Sequence, residues 1–265
     1  MTDWGYLLWN AVGLIALILI LWRISVRIGD VSFLDAFWPF GMVLLTWASA
    51  LQSGGNANRT MLLVALVTLW GCRLALHLFV RWRATGKDPR YVAILGRAME
   101  KKGWSFSRAA LQLVFALQAV LLFIVCLPAQ IGVGPAAPEA LGWQAAIGAA
   151  IALIGIAFES IGDAQLTAFK ANPANKGKVL DSGLWRYTRH PNYFGDACAW
   201  WGIWIVAAET APALWTLPCP ILMTWLLTRV SGVPMLERGL AKTRPGYADY
   251  IARTSSFFPL PPKHR

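Results

Sequence analysis

Long apolar runs separated by short polar connectors set the pattern of this chain. Seven runs are candidate membrane spans: Leu7 to Trp22, Phe33 to Ala50, Met61 to Phe79, Ala109 to Leu127, Leu141 to Ile161, Tyr193 to Ala208 and Leu214 to Thr228. A span needs about 20 apolar residues. The last two are therefore marginal and read as broken, tilted or enclosed by neighbours. Pro39 interrupts the second run, and Pro218 and Pro220 stand near the start of the seventh. No basic segment precedes the first run, so it reads as a span and not as a cleavable signal peptide. Neither an internal repeat nor a low-complexity stretch breaks the pattern. The expectation is an all-α, polytopic integral membrane protein with seven transmembrane helices, forming one membrane domain over residues 1–265.

The basic residues orient it. The connectors after the second, fourth and sixth runs hold Arg59 alone. Arg81, Arg83, Lys87, Arg90, Arg97, Lys101, Lys102 and Arg108 crowd the connector after the third, and Lys170, Lys176, Lys178, Arg186 and Arg189 the one after the fifth. Lys and Arg accumulate on the cytoplasmic side. This predicts an outside N-terminus and a cytoplasmic C-terminus, with the protein in the inner (cell) membrane of a bacterium.

Composition agrees with the membrane class. The 265 residues are 57% hydrophobic and 14% charged, with a mean hydropathy of +0.51; a soluble domain carries about 25% charged residues. Fifteen Trp suit two interfacial belts. The net charge of +11 does not mark a nucleic-acid binder, because the basic residues punctuate apolar runs and form no single patch. Cys72, Cys126, Cys198 and Cys219 lie in apolar runs without a CxxC pair and read as small buried hydrophobes. With three His in all, His264 in the tail, and no clustered carboxylate set, no metal is expected.

Polar residues within or beside the spans converge on one side. Arg73, His77 and Arg81 recur every four residues along the third run, and Asp35 lies a turn into the second. Glu159 and Asp163 end the fifth, followed by Gln165 and Lys170; Glu237 and Arg238 follow the seventh. Singly, each has a bland account: Asp35 as a first-turn carboxylate on a helix dipole, Arg73 snorkelling, His77 buried and satisfied. Together they share one leaflet, which structural salt bridges would not require. That convergence argues for a polar cavity open to the cytoplasm.

The most informative stretch is Gly183-Leu184-Trp185-Arg186-Tyr187-Thr188-Arg189-His190-Pro191-Asn192-Tyr193-Phe194-Gly195-Asp196. An interfacial collar accounts for Trp185, Arg186 and Tyr187. It does not account for Asn192 and Asp196, one helical turn apart on one face and entering an apolar helix where polar groups are costly without a partner or ligand. Around such a cavity, Arg73, Arg81, Arg83, Lys170, Lys178 and Arg189 offer contacts to phosphates. Asp163, Asn192, Asp196 and Glu237 can accept from hydroxyls or an amine, and Trp and Tyr can stack on rings. This mixture suits a nucleotide, although neither a GxGxxG after a strand nor a P-loop is present.

That stretch, with Trp200-Trp201-Gly202 after it, resembles the signature of the membrane steroid 5-alpha-reductase family, in its bacterial branch. Trp70-Gly71-Cys72-Arg73-Leu74, Gly86-Lys87-Asp88-Pro89-Arg90-Tyr91, and the tail from Gly232-Val233-Pro234 through Pro245-Gly246-Tyr247 to Phe258-Pro259 resemble it too. The resemblance implies a seven-helix enzyme that takes NADPH from the cytosol and reduces the 4,5 double bond of a 3-oxo-Δ4 steroid or similar lipid enone, in contact with membrane lipid. An acid-side pair polarises the carbonyl and stabilises the developing enolate. The family's acid aligns with Asp35, which in an apolar pocket could stay protonated and donate. Its cofactor contacts align with Arg73, Asp163, Lys170, Asn192 and Asp196, and with His77 and Glu237; Arg81, Lys178, Tyr187, Arg189 and His190 complete the expected set. Trp38 and Trp70 are expected to contact substrate. One departure stands out: the family's tyrosine, a turn before Arg73, is here Trp70, whose only polar group is an N–H. Tyr91 is the substitute donor.

Two other classes share features. Isoprenylcysteine carboxyl methyltransferases also carry Arg-His-Pro-x-Tyr and a late Glu before Gly-x-x-Tyr, and bind S-adenosylmethionine, which has no phosphates. A lipid or sterol transporter would bind no nucleotide at all.

Overall fold

The computed structural model describes residues 4–55, 57–138, 140–230, 232–233, 237, 239–240 and 243–263. Pro234, Arg238 and His264 lie outside the described residues. Among these the chain is helical, and the one β-type contact is an isolated bridge between Thr188 and Ser255.

Among the described residues, six helices are long and apolar enough to cross a membrane. They are α1 (Gly5–Ile28), α2 (Leu34–Ser53), α3 (Ala57–Thr85), α5 (Phe106–Val125, with a π turn at Leu111–Phe115), α7 (Trp143–Ala171) and α9 (Ala211–Val230). Between them lie α4 (Pro89–Lys102), α6 (Leu127–Gly132) and α8 (Pro191–Ala207, 17 residues); α10 (Tyr247–Arg253) lies in the tail. The helix at the sixth expected span is thus short, and α9 is broken by a turn at residues 215–217, as the marginal length of those runs suggested. The expected break at Pro39 does not occur: α2 runs through it. A proline in an apolar helix forfeits one backbone bond, which neighbouring helices can make tolerable.

The chain packs as two compact units, Met1–Gly142 with Ala207–Cys219, and Trp143–Val206 with Pro220–Arg265. In the first unit, α2 lies against α3 at very short range. A Cβ on Gly71 would come within 2.8 Å of the Pro39 carbonyl oxygen, so only glycine lets the two backbones meet there. The interior of α1 and α2 carries a polar knot. Asn10 Nδ2 donates to Ser49 Oγ at 2.7 Å and Gln130 Oε1 at 2.9 Å, and Gln52 Nε2 donates to Asn10 Oδ1 at 3.1 Å. Each buried group is met by another, as a water-poor interior requires. Arg59, the lone basic residue of the connectors after the second, fourth and sixth apolar runs, is fully buried. Its guanidinium donates to the carbonyls of Gly132, Ala136 and Pro138 at 3.1, 2.7 and 2.7 Å, tying down the 132–138 loop. Of the cysteines, Cys126 and Cys219 are buried as expected, whereas Cys72 is exposed on α3.

In the second unit a glycine stripe joins α7 to α8. A Cβ on Gly148 would meet the Gly202 carbonyl oxygen at 2.8 Å, and one on Gly155 would meet the Gly195 carbonyl oxygen and the Ala199 nitrogen at 2.5 Å. Small residues at seven-residue intervals thus let two apolar helices touch along their backbones, the usual way to gain van der Waals contact in lipid. The tail then closes over the 183–190 segment. Arg189 N donates to Ser255 O at 2.9 Å and Leu260 N to Tyr187 O at 3.0 Å. Thr188 Oγ1 donates to Phe257 O at 2.8 Å, and Tyr250 Oη to Trp185 O at 2.5 Å. Trp185 in turn donates to Gly162 O of α7 at 3.1 Å.

Candidate functional site

In the first unit the candidate residues gather at the start of α4. Asp88 is its N-cap, with its carboxylate accepting from Arg90 N at 2.8 Å, and Pro89 follows at the first helical position. An acidic cap followed by proline is a strong helix start, and it fixes Arg90 and Tyr91 in the first turn. From there Arg90 Nη2 reaches Asp35 Oδ2 at 2.9 Å while also binding Asp88 Oδ2 at 2.8 Å. Tyr91 Oη donates to Asp35 Oδ1 at 2.5 Å. Arg81 Nη2 stands 3.9 Å from Asp35 Oδ2. The cluster is seated by a further shell. Ser32 Oγ accepts from Asp88 N at 2.7 Å, Asp30 Oδ1 accepts from Ser32 N at 2.8 Å, and Trp82 Nε1 donates to Asp30 Oδ2 at 2.9 Å.

Asp35 thus accepts from Tyr91 on one oxygen and from Arg90 on the other. Burial pushes the Tyr91 hydroxyl well above the usual phenol range, and the charge of Asp35 and the hydrogen bond to it add to that, against a smaller opposing effect of Arg90. Burial would lower the Arg90 guanidinium, but its bonds and charge contacts with Asp88 and Asp35 raise it instead. For Asp88, burial works upward and is outweighed by Arg90, leaving it below the usual carboxylate range. A phenol kept protonated beside a carboxylate held by guanidinium is a hydrogen-bond donor for an oxyanion.

Trp38, three residues after Asp35 on the same helix face, is half-buried; its Nε1 is buried with no hydrogen-bond partner among the described residues. Trp70, expected to contact substrate, is fully buried at 0% exposure, and no face of its ring is open. Arg73 and His77 are half-buried on α3. Sequence reasoning passed over Arg90 and Asp88 as partners of Asp35. The signal was there in Asp88-Pro89, which fixes the register of the next turn.

In the second unit, Asn192 Nδ2 donates to Asp163 Oδ1 at 3.3 Å, linking α8 to α7. Asp163, Asp196 and Glu159 are buried. Lys170 and Lys178 are exposed, as is Tyr187 at 43%. Arg189, His190 and Glu237 form a separate cluster. Arg189 Nε and Nη2 meet the two Glu237 oxygens at 2.7 and 3.3 Å, and His190 Nε2 lies 3.0 Å from Glu237 Oε1. Arg189 Nη1 donates to the carbonyls of Thr254 at 2.5 Å and Ile251 at 3.1 Å. The His190 ring stacks on Tyr193 with an interplanar angle of 4°. Burial works to raise the Glu237 carboxyl, but the hydrogen bonds from His190 and Arg189 hold it below its usual range. Tyr247 nearby is pushed up to about 12, by burial and then by the Glu237 charge. Arg189, expected to hold a phosphate, is thus committed to Glu237 and the tail.

The family model described as a protein of unknown function, DUF1295, matches residues 21–254. The family is associated with steroid 5-alpha-reductase-like membrane proteins. An uncharacterized protein of Schizosaccharomyces pombe is 23% identical over 270 residues, covering 91% of this chain and 76% of the relative. No solved structure matches at a significant level. Because the match spans the described helices from α2 to α10 and both residue clusters, the chain belongs to the DUF1295 family of membrane proteins.

Proposed function

We propose that this protein is an NADPH-dependent reductase of the 4,5 double bond of a 3-oxo-Δ4 steroid or a similar lipid enone. In this reading α8 is a seventh span, the N-terminus lies outside a bacterial inner membrane, and the C-terminus is cytoplasmic. The observation that carries it is the 2.5 Å contact between Tyr91 and Asp35. It restores a phenol–carboxylate pair in a chain that has Trp70 where related enzymes are expected to have the phenol.

The residues fit the cofactor in kind. Asp163, Asn192 and Asp196 supply acceptors for hydroxyls, and Lys170 and Lys178 supply exposed cations for phosphates. When bound, NADPH supplies the hydride that adds to the carbon β to the carbonyl. Tyr91 then turns its O–H to the carbonyl oxygen and stabilises the enolate charge that the hydride pushes there. Its raised pKa keeps it a phenol through this step. Arg90 and Arg81 hold the Asp35 carboxylate while Tyr91 is turned away. Trp38 Nε1, without a partner among the described residues, offers a second donor to the same oxygen. The α-carbon takes one proton from water, so one hydride and one proton saturate the bond.

The test is thermal stabilisation of the detergent-purified protein by NADPH, NADH and S-adenosylmethionine in parallel, followed by NADPH oxidation with progesterone and mass spectrometry of the 5α product. Stabilisation by S-adenosylmethionine alone would replace this reading by a methyltransferase of the isoprenylcysteine carboxyl type. The commitment of Arg189 to Glu237, which removes one phosphate contact, favours that second reading. No stabilisation by any nucleotide would leave a lipid or sterol transporter.

A further inference from the structure

We infer that the basic end of α1, α4 and α5 is a binding site for the headgroup of an anionic phospholipid. Lys102 closes α4, and Gly103, at φ 63, turns the chain into the start of α5. A left-handed turn there brings Trp104 back between two cations. Lys102 Nζ lies 4.7 Å and Arg108 Cζ 4.6 Å from the centre of the Trp104 ring. Ser105 Oγ accepts from Arg108 N at 3.3 Å, which fixes Arg108 relative to that ring. A neighbouring helix adds a third cation: Trp22 Nε1 of α1 donates to Ser107 O at 2.9 Å, and Arg23 lies over the Trp22 ring at 5.9 Å.

Lys102, Arg108 and Arg23 are all exposed, and none has a carboxylate partner among the described residues. Three cations held on two indoles attract a negative group and repel one another without it. Exposed apolar residues further along the same helices select a lipid over a soluble anion. Beyond Arg23, Ile20 and Leu19 of α1 are exposed at 57% and 43%; beyond Arg108, Leu117 and Val120 of α5 at 54% and 56%. Both are helices of membrane-spanning length. A diacyl phosphate is anionic at one end and apolar at the other, and this surface presents those two requirements in that order. The Trp rings suit the interface at which a headgroup sits.

Native mass spectrometry of the full chain tests this, with phosphatidylglycerol and phosphatidylcholine of the same acyl chains offered in equal amounts. Wild type is expected to retain phosphatidylglycerol preferentially. Lys102→Gln with Arg108→Gln should cut that retention about tenfold or more, at about 1 kcal/mol per basic contact. Arg83→Gln with Arg97→Gln removes the same charge from exposed positions of the same connector and should leave it unchanged. Trp104→Leu keeps every charge but removes the ring on which two cations rest, and should weaken retention several-fold. Equal losses in the two double variants would reduce the effect to bulk charge and overturn the site. So would equal retention of phosphatidylcholine by wild type, full retention by the Lys102/Arg108 variant, or displacement of the lipid by excess inorganic phosphate.

Discussion

Tyr91, in the first turn of α4, donates its hydroxyl hydrogen to Asp35, near the start of α2, across 2.5 Å. The bond joins residues 56 positions apart and is backed by Arg90 on the second carboxylate oxygen. If this pair polarises a carbonyl, Tyr91→Phe should lower turnover about 10²–10³-fold, the usual cost of one oxyanion donor. Asp35→Leu, which removes the acceptor that places the phenol, should lower turnover by less, and Asp35→Asn, which can still hold the phenol, by less again. Stabilisation by NADPH should survive in all three, since the loss belongs to the transition state. Rates of NADPH oxidation with progesterone decide; an Asp35→Leu variant as active as wild type would remove the pair from the mechanism.

The acceptors of α7 and α8 give a separate expectation. With NADPH about 100-fold above its dissociation constant, binding to the native state alone adds about 2.7 kcal/mol. Asn192→Ala and Asp196→Ala should each reduce that gain while leaving the ligand-free protein folded. Melting curves with and without NADPH measure it. Wild-type affinity in both variants would exclude these residues from the cofactor site.

Glu237 makes stability depend on pH. Its folded-state pKa lies below the ordinary 4.5, because His190 and Arg189 outweigh burial. As pH falls, the unfolded chain therefore takes up the proton first. The stabilisation is full above about 4.5 and is lost as pH drops through the folded value. Arg189, His190 and Tyr247 are the titratable groups facing it. Glu237→Gln should cost about 1–3 kcal/mol at neutral pH, less than a fully buried pair because the carboxylate is partly exposed. The variant should also show a flatter melting profile into the acid range than wild type, read by differential scanning fluorimetry.

The contact of α7 with α8 should tolerate no side chain at its centre. Gly155→Leu forces atoms into a space where even a Cβ would lie 2.5 Å from backbone, and should destabilise by at least the ~1–3 kcal/mol of an overpacked core. Gly96→Ala, where an added Cβ meets nothing within 4 Å, should be neutral or stabilising by about 0.5–1 kcal/mol, since it replaces a helix-interior glycine. Thermal unfolding of the two variants in one detergent separates packing from propensity.

Orientation is tested by labelling. A cysteine placed at Lys101 in an otherwise cysteine-free chain should stay unreactive toward an impermeant thiol reagent in intact cells and react after permeabilisation. Labelling from the outside of intact cells would invert the proposed topology.

Helix positions and membrane class were legible in the sequence because each depends on local quantities. The partitioning of about 20 apolar residues is nearly a sum over those residues, so the runs at 7–22 and 61–79 fall within α1 and α3, and the run at 33–50 begins one residue before α2. The shared face of Asn192 and Asp196 comes in the same way from a four-residue spacing on a helix. Partner choice is different, because it depends on which helices meet. Tyr91 could be named from the sequence as a substitute donor, but nothing there shows that Arg90 beside it takes the second Asp35 oxygen, or that Arg189 is claimed by Glu237, 48 residues on. Pro39 reads as a break, yet α2 continues, since its cost depends on the neighbours that compensate it. Those outcomes rest on the approach of backbones to within a glycine's width, as at Gly71 and Gly155, and on the reach of long side chains across it. Only the tertiary structure decided them.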